Sequence, residues 1–271
     1  MNWRNVVTYG LLAVGALLAL YPFAWMLGTS LMTLQESTSA SLSLIPDEPQ
    51  WQNYPDAMSS APFARYFGNT FAIAITISLM TMITAVMAGY AFARLHFVGR
   101  RVLFATIIAT MMVPFEALII PNYVLITKLE WYDTYQALII PWCANAFSIF
   151  LMRQAYASTP SEYYDAAVID GCGHIRFLLF IATPIVRPTV LIVGLFAFLA
   201  SYNALLWPMI VTGSESMHMI QVGLALFATD AGVRTNLLMA ASVVVIVPVL
   251  LLYFATQRTF VDAATNSGLK G

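Results

Sequence analysis

Charge is what this sequence has least of. Only 9% of its 271 residues are Asp, Glu, Lys or Arg, while 60% are hydrophobic; soluble globular domains carry roughly 25% charged residues. A water-soluble fold of this length needs a polar surface that so few charges cannot supply, so most of the surface must face lipid. Cysteine is scarce too. Cys143 and Cys172 are the only two, and they form neither a ligand-spaced pair nor a disulfide framework. His96, His174 and His218 are scattered over different loops, so no metal site and no catalytic residues are indicated. A zinc-peptidase motif, a nucleophile elbow and a phosphate-binding loop are all missing, and no basic run points to nucleic acid. Any catalytic chemistry must come from elsewhere.

What the chain has instead is long uncharged runs, over residues 5–35, 66–93, 134–152, 188–214 and 235–257. Each can supply the roughly 20 apolar residues that an α-helix needs to cross the hydrocarbon core. A sixth run, 102–120, contains one carboxylate, Glu116. Membrane β-strands would instead alternate in segments of about ten residues. The expected fold class is an all-α membrane protein, a single transmembrane domain over 1–271 with six transmembrane helices near 7–30, 69–92, 102–121, 135–155, 187–207 and 236–256. The first run follows Arg4 but far exceeds the roughly 7–15 apolar residues of a cleaved signal peptide, so it reads as an uncleaved span.

The basic residues set the orientation. With the N-terminus inside, Arg4, Arg94, Arg100, Arg101, Arg153, Arg176, Arg187, Arg258 and Lys270 fall on the cytoplasmic side, and only Arg65, Lys128 and Arg234 fall outside. That bias follows the positive-inside rule. Both termini are expected in the cytoplasm, with the chain multi-pass in a cytoplasmic membrane. Residues 32–65 then form a long outer loop, with the turn-rich stretch "IPDEPQWQNYPD" punctuated by proline.

The other long loop, 153–187, lies inside and carries "DAAVIDGCGHIRFLLFIATP". Its charges, glycines and small residues are what a span avoids. Thr159-Pro160-Ser161-Glu162 has the order of a capping box, with Thr159 as N-cap, Pro160 first in the helix and Glu162 third. The helix is expected to run to Asp170 and end at Gly171, where a left-handed cap suits a residue without Cβ. Glu162, Ala166 and Asp170 share a row at i, i+4 spacing, beside an apolar face of Tyr164, Ala167 and Val168. Ile175, Leu178, Leu179 and Ala182 then make a second apolar stripe that stops before Pro184. Loop 158–184 reads as a short, stiff helix–turn–helix elbow. A hairpin lying on the bilayer would prefer a basic polar face, and this one is acidic.

Asp165-Ala166-Ala167, three residues, Gly171, nine residues, Ile181, one residue and Thr183-Pro184 resemble the E-A-A-x3-G-x9-I-x-L-P loop of ABC importer permeases. Asp165 replaces the family's Glu with a shorter carboxylate, and Thr183 replaces its Leu with loss of an apolar contact. The resemblance implies a type I ABC importer permease core whose elbow docks, as a coupling helix, in a groove of a cytoplasmic ATPase. On that reading Glu162, Asp165, Ala166, Ala167, Asp170, Gly171, Ile181 and Pro184 form the ATPase-coupling site. Asp165 and Asp170 pair with or cap groups of the ATPase, Gly171 makes the turn and Pro184 ends the second arm. The chain itself would hold no cofactor; ATP and Mg2+ would sit in the partner ATPase subunits.

Six spans, a long first outer loop and an elbow before span five resemble, within that family, the smaller permease subunit of maltose-type carbohydrate importers. "SYNALLWPMIVT" (201–212) is similar to that branch's S-W-N-x-x-L-W-P segment, with Tyr202 where Trp is usual, and "MMVPFEALIIPNY" (111–123) to its third-span ending. This implies ATP-driven import of di- or oligosaccharides by alternating access. The implied partners are a second homologous permease, two ABC ATPases and an extracytoplasmic binding protein, in the cytoplasmic membrane of a bacterium or archaeon. By the same resemblance, the outer segment 213–234 would meet the binding protein.

Glu116, Asn122, Asn203 and Trp207 are the candidates for a substrate path. Glu116, counted from Val102 at about 1.5 Å per residue, falls some two-thirds of the way across the core. Either it lines a polar cavity at a helix broken by Pro114 and Pro121, or it sits near the outer interface of a short span. Asn203 can bond a sugar hydroxyl or a neighbouring helix; Trp207 can stack on a sugar ring or join the interfacial aromatic belt. Two other readings stay open. An importer of glycerol 3-phosphate or a related phosphodiester calls for Arg or Lys deep in the membrane, where the uncharged runs have none. An ion-coupled secondary transporter would leave the elbow without a role.

Overall fold

The computed structural model describes residues 3–39, 44–229 and 232–268, with 229 and 258–268 as backbone alone. Among these residues the chain is helical almost throughout, apart from loops and one short ribbon pairing Ala228–Thr229 with Gly232–Val233. Four helices are long and apolar enough to cross a membrane: Trp3–Ser30, Phe63–Arg94, Tyr135–Ala157 and Thr235–Gln257. Two further apolar pairs are sharply bent, Arg100–Thr110 with Phe115–Lys128 by 100° and His174–Ile185 with Arg187–Tyr202 by 84°. Among the described residues the candidate spans therefore number four, or up to six if each bent pair is one span.

The breaks have local causes. Within the span expected over 102–121, the chain leaves the helix after Thr110 and Pro114 takes an extended conformation (φ −65°, ψ 140°) before Phe115. Pro114 has no N–H to continue the ladder, and it biases the residue ahead of it away from helical geometry. The helix expected over 187–207 likewise stops at Tyr202, and a separate short helix, Leu206–Val211, follows. Pro208 cannot donate to the carbonyl of Ala204, so a continuous ladder would lose a bond there.

Residues 1–65 with 222–252 form one compact unit. The Trp3–Ser30 helix exposes nearly all of its apolar side chains, as a helix facing lipid does. Two short helices follow, Leu34–Thr38, with a capping box between Thr33 and Glu36, and Asn53–Ser59. Buried Asn53 ties this unit together. Its amide donates to the carbonyls of Ser30 and Met32 at 2.9 and 2.8 Å, and its Oδ1 accepts from Asn236 Nδ2 at 3.0 Å. Such complete pairing offsets the cost of burying a carboxamide.

Residues 66–221, with the end of the chain, form the other unit. Among the described residues its core gathers around two centres. One gathers Ala85, Tyr90, Met152, Tyr156, Phe177 and Val193; the other gathers Ile73, Ile77, Ile126, Leu138, Trp207 and Val211. The helix Phe63–Arg94 contributes to both. At Gly89 a Cβ would fall 2.5 Å from the Cβ of Met152, so the absent side chain is what lets these helices touch. Farther along, the Tyr135–Ala157 span tightens into a 3-10 turn at Ile140–Trp142, around Pro141. Thr81 and Thr84 then donate to the carbonyls of Trp142 and Cys143 at 3.1 and 2.8 Å. Neighbouring hydroxyls thereby serve carbonyls left over by the broken ladder.

Candidate functional site

The elbow begins at Glu162. Its first arm, Glu162–Ile169, is closed by Asp170 and by Gly171 at φ +72°. The N–H of Gly171 bonds the carbonyl of Val168 at 3.0 Å and that of Cys172 bonds Ala167 at 2.8 Å. These are the two bonds of a Schellman cap, built around one left-handed residue. The turn expected at Gly171 is present.

The start of the arm departs from the sequence expectation. Thr159 does not cap it: its hydroxyl donates back to Ala155 O at 3.1 Å, and no side chain caps the helix, which has Ser161 at its N-cap. The competitor is Arg94, at the end of the Phe63–Arg94 helix. Its Nη2 donates to the carbonyl of Thr159 and, at 3.0 Å, to that of Tyr156. A charged donor satisfies carbonyls orphaned at the end of the Ala146–Ala157 helix more strongly than a neutral one, and Thr159 is held to that helix instead.

The second arm starts as an α-helix at His174–Phe177, widens to a π turn at Leu178–Ala182 and resumes at Thr183–Ile185. Pro184 therefore does not end the arm. The wide turn precedes a proline that cannot make the ordinary bond four residues back, and the bend falls at Val186 (φ −96°, ψ 16°). The same widening divides the expected apolar stripe: Leu178 and Ala182 are buried, while Ile175 and Leu179 are exposed.

Inner and outer faces of the elbow now separate. Ala167, Phe177, Leu178 and Ala182 join the core with Tyr90 and Tyr156, and Ile181 and Tyr164 pack against it. The hydroxyl of Tyr90 lies 3.0 Å from His174 Nδ1, and the ring of Tyr164 stacks on the same imidazole with centroids 5.6 Å apart. Thr183 Oγ1 lies 3.0 Å from the hydroxyl of Tyr156, so where an apolar contact was expected to be lost, a hydrogen bond stands. Outward face Glu162, Asp165, Ala166, Val168, Asp170 and Gly171, with Ile169 86% exposed at the tip. Of the expected coupling residues, Ala167 and Ile181 thus pack inward, and Pro184 is exposed near the end of the second arm. An apolar tip flanked by three carboxylates, on a mount braced through Tyr90, Arg94 and Tyr156, has the exposed apolar centre and polar rim of a surface that suits a protein partner. These braces escaped the sequence reading. Their partners lie 84, 62 and 27 residues away, and no local spacing signals such a meeting.

A cavity of about 290 Å3 opens in the same unit, with Thr81, Trp142, Asn145, Ser148, Ser201 and Trp207 among its lining. No Asp, Glu, Lys or Arg lines it. Trp207 is the one substrate-path candidate in this lining. It is 3% exposed, its indole N–H donates to Ala137 O at 3.0 Å, and Phe115 and Trp142 crowd it with ring centroids at 6.2 and 6.4 Å. Neither an interfacial belt nor a free stacking platform describes it. Glu116 is exposed in the first turn of Phe115–Lys128, and Asn122 is half-buried on that helix. Asn203 is exposed, its amide turned back onto Leu199 O at 2.9 Å. Single hydroxyls such as Ser148 and Ser201 carry no signal inside an apolar run.

Asp133 fixes the far side of this unit. In a left-handed conformation (φ +60°), it donates its N–H to Val211 O at 2.8 Å, and its Oδ1 accepts from the N–H groups of Gly213 and Ser214 at 2.9 and 3.0 Å. Burial pushes its pKa up, but the bonds from Ser214 and Gly213 and the nearby His218 outweigh it and hold the carboxyl below its ordinary range. The segment that follows is the one expected to meet a binding protein.

Residues 83–262 match the family described as binding-protein-dependent transport system inner membrane component. The arabinooligosaccharides transport system permease protein of Halalkalibacterium halodurans is 35% identical over 206 residues, covering 76% of this chain and 74% of that protein. The lactose transport system permease protein of Rhizobium radiobacter is 28% identical over 263 residues, covering 97% and 96%. The sn-glycerol-3-phosphate transport system permease protein of Brucella abortus (strain 2308) is 29% identical over 272 residues, with the same coverage of 97% and 96%. Among solved structures, a bacterial ABC transporter involved in the import of the acidic polysaccharide alginate contains a chain with the same fold. Its TM-score is 0.83 at 24% identity, covering 94% of this chain and 95% of that one.

Proposed function

This chain belongs to the family of binding-protein-dependent transport system inner membrane components, and within it we propose the role of permease subunit in an ATP-driven importer of neutral di- or oligosaccharides. It is a transport subunit rather than an enzyme, and hydrolysis of ATP falls to a partner. The assembly we propose holds a second homologous permease, two ATPase subunits and an extracytoplasmic binding protein. The chain crosses a bacterial or archaeal cytoplasmic membrane six times, near 7–30, 69–92, 102–121, 135–155, 187–207 and 236–256, with both termini inside; each bent pair counts as one crossing.

The observation that carries this reading is the elbow: a Schellman-capped helix offering Val168 and Ile169 between Glu162, Asp165 and Asp170. Closure of two ATPase subunits around ATP would push these elbows together. Through Tyr90–His174 and Tyr156–Thr183 the push reaches the second and fourth spans, and the cavity opens toward the binding protein. Hydrolysis resets it inward. Saccharide cargo is favoured by the relatives named for lactose and arabinooligosaccharides, and by a largely apolar cavity lining that holds aromatic rings, three hydroxyls and one amide and carries no charge. Glycerol 3-phosphate, the cargo named for another relative, would leave its phosphate without a cation in that lining.

Reconstitution into vesicles with the partner permease, the ATPase and the binding protein tests this. Saccharide uptake should need ATP and the binding protein, and excess glycerol 3-phosphate should not compete. Uptake without the ATPase would point to a secondary transporter; uptake of glycerol 3-phosphate would overturn the cargo.

A further inference from the structure

Between the helices Phe63–Arg94 and Arg100–Thr110 runs a short turn, "LHFVGRR". Val98 is 100% exposed, Val102 70% and Phe97 40%, and water is an unfavourable neighbour for three such side chains. Cations surround them. Arg100 and Arg101 line, with His96, Phe97, Gly99 and Val102, an open pocket of about 380 Å3. Gly99, at φ +81°, turns the chain there. Arg100 Nη1 donates to Leu95 O at 2.8 Å, which holds its guanidinium at the pocket wall with other N–H donors still uncommitted. Arg101 is exposed, and its side chain makes no hydrogen bond or ion pair among the described residues. One turn along, the guanidinium of Arg153 lies over the ring of Phe104 at 4.4 Å, adding another cation to this end of the unit. No carboxylate occurs in the sequence between Asp56 and Glu116 to neutralise the turn from within its own segment.

We infer that this turn binds the headgroup of an anionic phospholipid. Arg100 and Arg101 hold the phosphate, because paired guanidinium donors match phosphate oxygens and tolerate partial desolvation. Phe97, Val98 and Val102 rest among the first carbons of the acyl chains. Each half of the pattern excludes an alternative: a soluble anion has no use for a fully exposed valine, and a neutral lipid has none for the cations. The site is separate from both the elbow and the cavity, and it does not depend on what the transporter carries.

Native mass spectrometry of the full-length chain, purified in detergent and exposed to phosphatidylglycerol, phosphatidylcholine or inorganic phosphate, tests the site. Phosphatidylglycerol should be retained in preference to phosphatidylcholine. Arg101→Gln should weaken that retention about fivefold, and Arg100→Gln with Arg101→Gln about 25-fold, from the usual worth of one surface cation at an anionic membrane. Val98→Ser should weaken it as well, with no change of charge. Arg101 and Val98 are exposed, so both single variants should melt at the wild-type temperature, which separates loss of the site from loss of the fold. Equal retention of the two lipids, or variants that hold phosphatidylglycerol as well as wild type does, would overturn the proposal. Displacement of phosphatidylglycerol by inorganic phosphate, with Val98→Ser without effect, would replace it with a soluble-anion site.

Discussion

The hydroxyl of Tyr156 and the Oγ1 of Thr183 meet at 3.0 Å, joining the end of the Ala146–Ala157 helix to the second arm of the elbow. Tyr156 is 1% exposed, so its hydroxyl has little access to water if Thr183 is lost. Thr183→Leu, which installs the residue usual in the resembled motif, should destabilise the chain by about 1–3 kcal/mol by orphaning that hydroxyl. Tyr156→Phe alone should cost less. In the double variant much of the loss should be recovered, leaving a coupling energy of about 1 kcal/mol in a double-mutant cycle read by thermal melting in detergent. Additive losses would mean the two groups act independently.

Trp207 lines the cavity yet has its indole N–H committed to Ala137 O. Trp207→Ala should cost about 3–5 kcal/mol in stability. Trp207→Phe keeps much of the packing and leaves one carbonyl unpaired, for about 1–2 kcal/mol. If the residue acts chiefly through packing, Trp207→Phe should lower the melting temperature while the KM for saccharide uptake stays within about twofold. A large rise in KM at unchanged stability would make Trp207 a sugar-stacking residue instead.

The elbow shows how much the sequence could and could not carry. Gly171, the acidic outward row and the membrane class were legible, because each rests on local rules: a left-handed cap, a helical repeat, a lack of charge. Thr159 misled because its capping-box spacing is a local rule too, and Arg94 overrode it from 65 residues away. Pro184 misled because a π turn absorbs a proline that would stop an ordinary helix. The bend in the third span was foreshadowed by Pro114, whereas the cavity lining was not, since it draws Thr81, Ser148 and Ser201 from three segments with no shared spacing.

Asp133 predicts a pH response. Its folded carboxyl titrates below the ordinary value of 3.8 because Ser214 and Gly213 donate to it against the opposing effect of burial. The stability it contributes is therefore full above that value and is lost as the pH falls through the lower folded value. Asp133→Asn keeps an acceptor and tolerates the positive φ, but it gives up the charge, for a loss of about 1 kcal/mol or less near neutral pH. Thermal melting from pH 7 downward should show the two proteins converging only below pH 3.8. Convergence between pH 5 and 7 would contradict the assignment.

The coupling elbow is tested most directly at Gly171. Its φ is +72°, and a Cβ there would meet nothing within 4 Å, so a side chain fits and only the backbone conformation is penalised. Gly171→Asn should remain near wild type, since Asn tolerates the left-handed region. Gly171→Val should strain the turn by about 1–2 kcal/mol or more. The decisive measurement is the ratio of saccharide transported to ATP hydrolysed in vesicles holding the complete transporter. Gly171→Val should insert normally and hydrolyse ATP while that ratio collapses, with Gly171→Asn close to the wild-type ratio. A wild-type ratio in Gly171→Val would contradict the elbow as the element that couples ATP to transport.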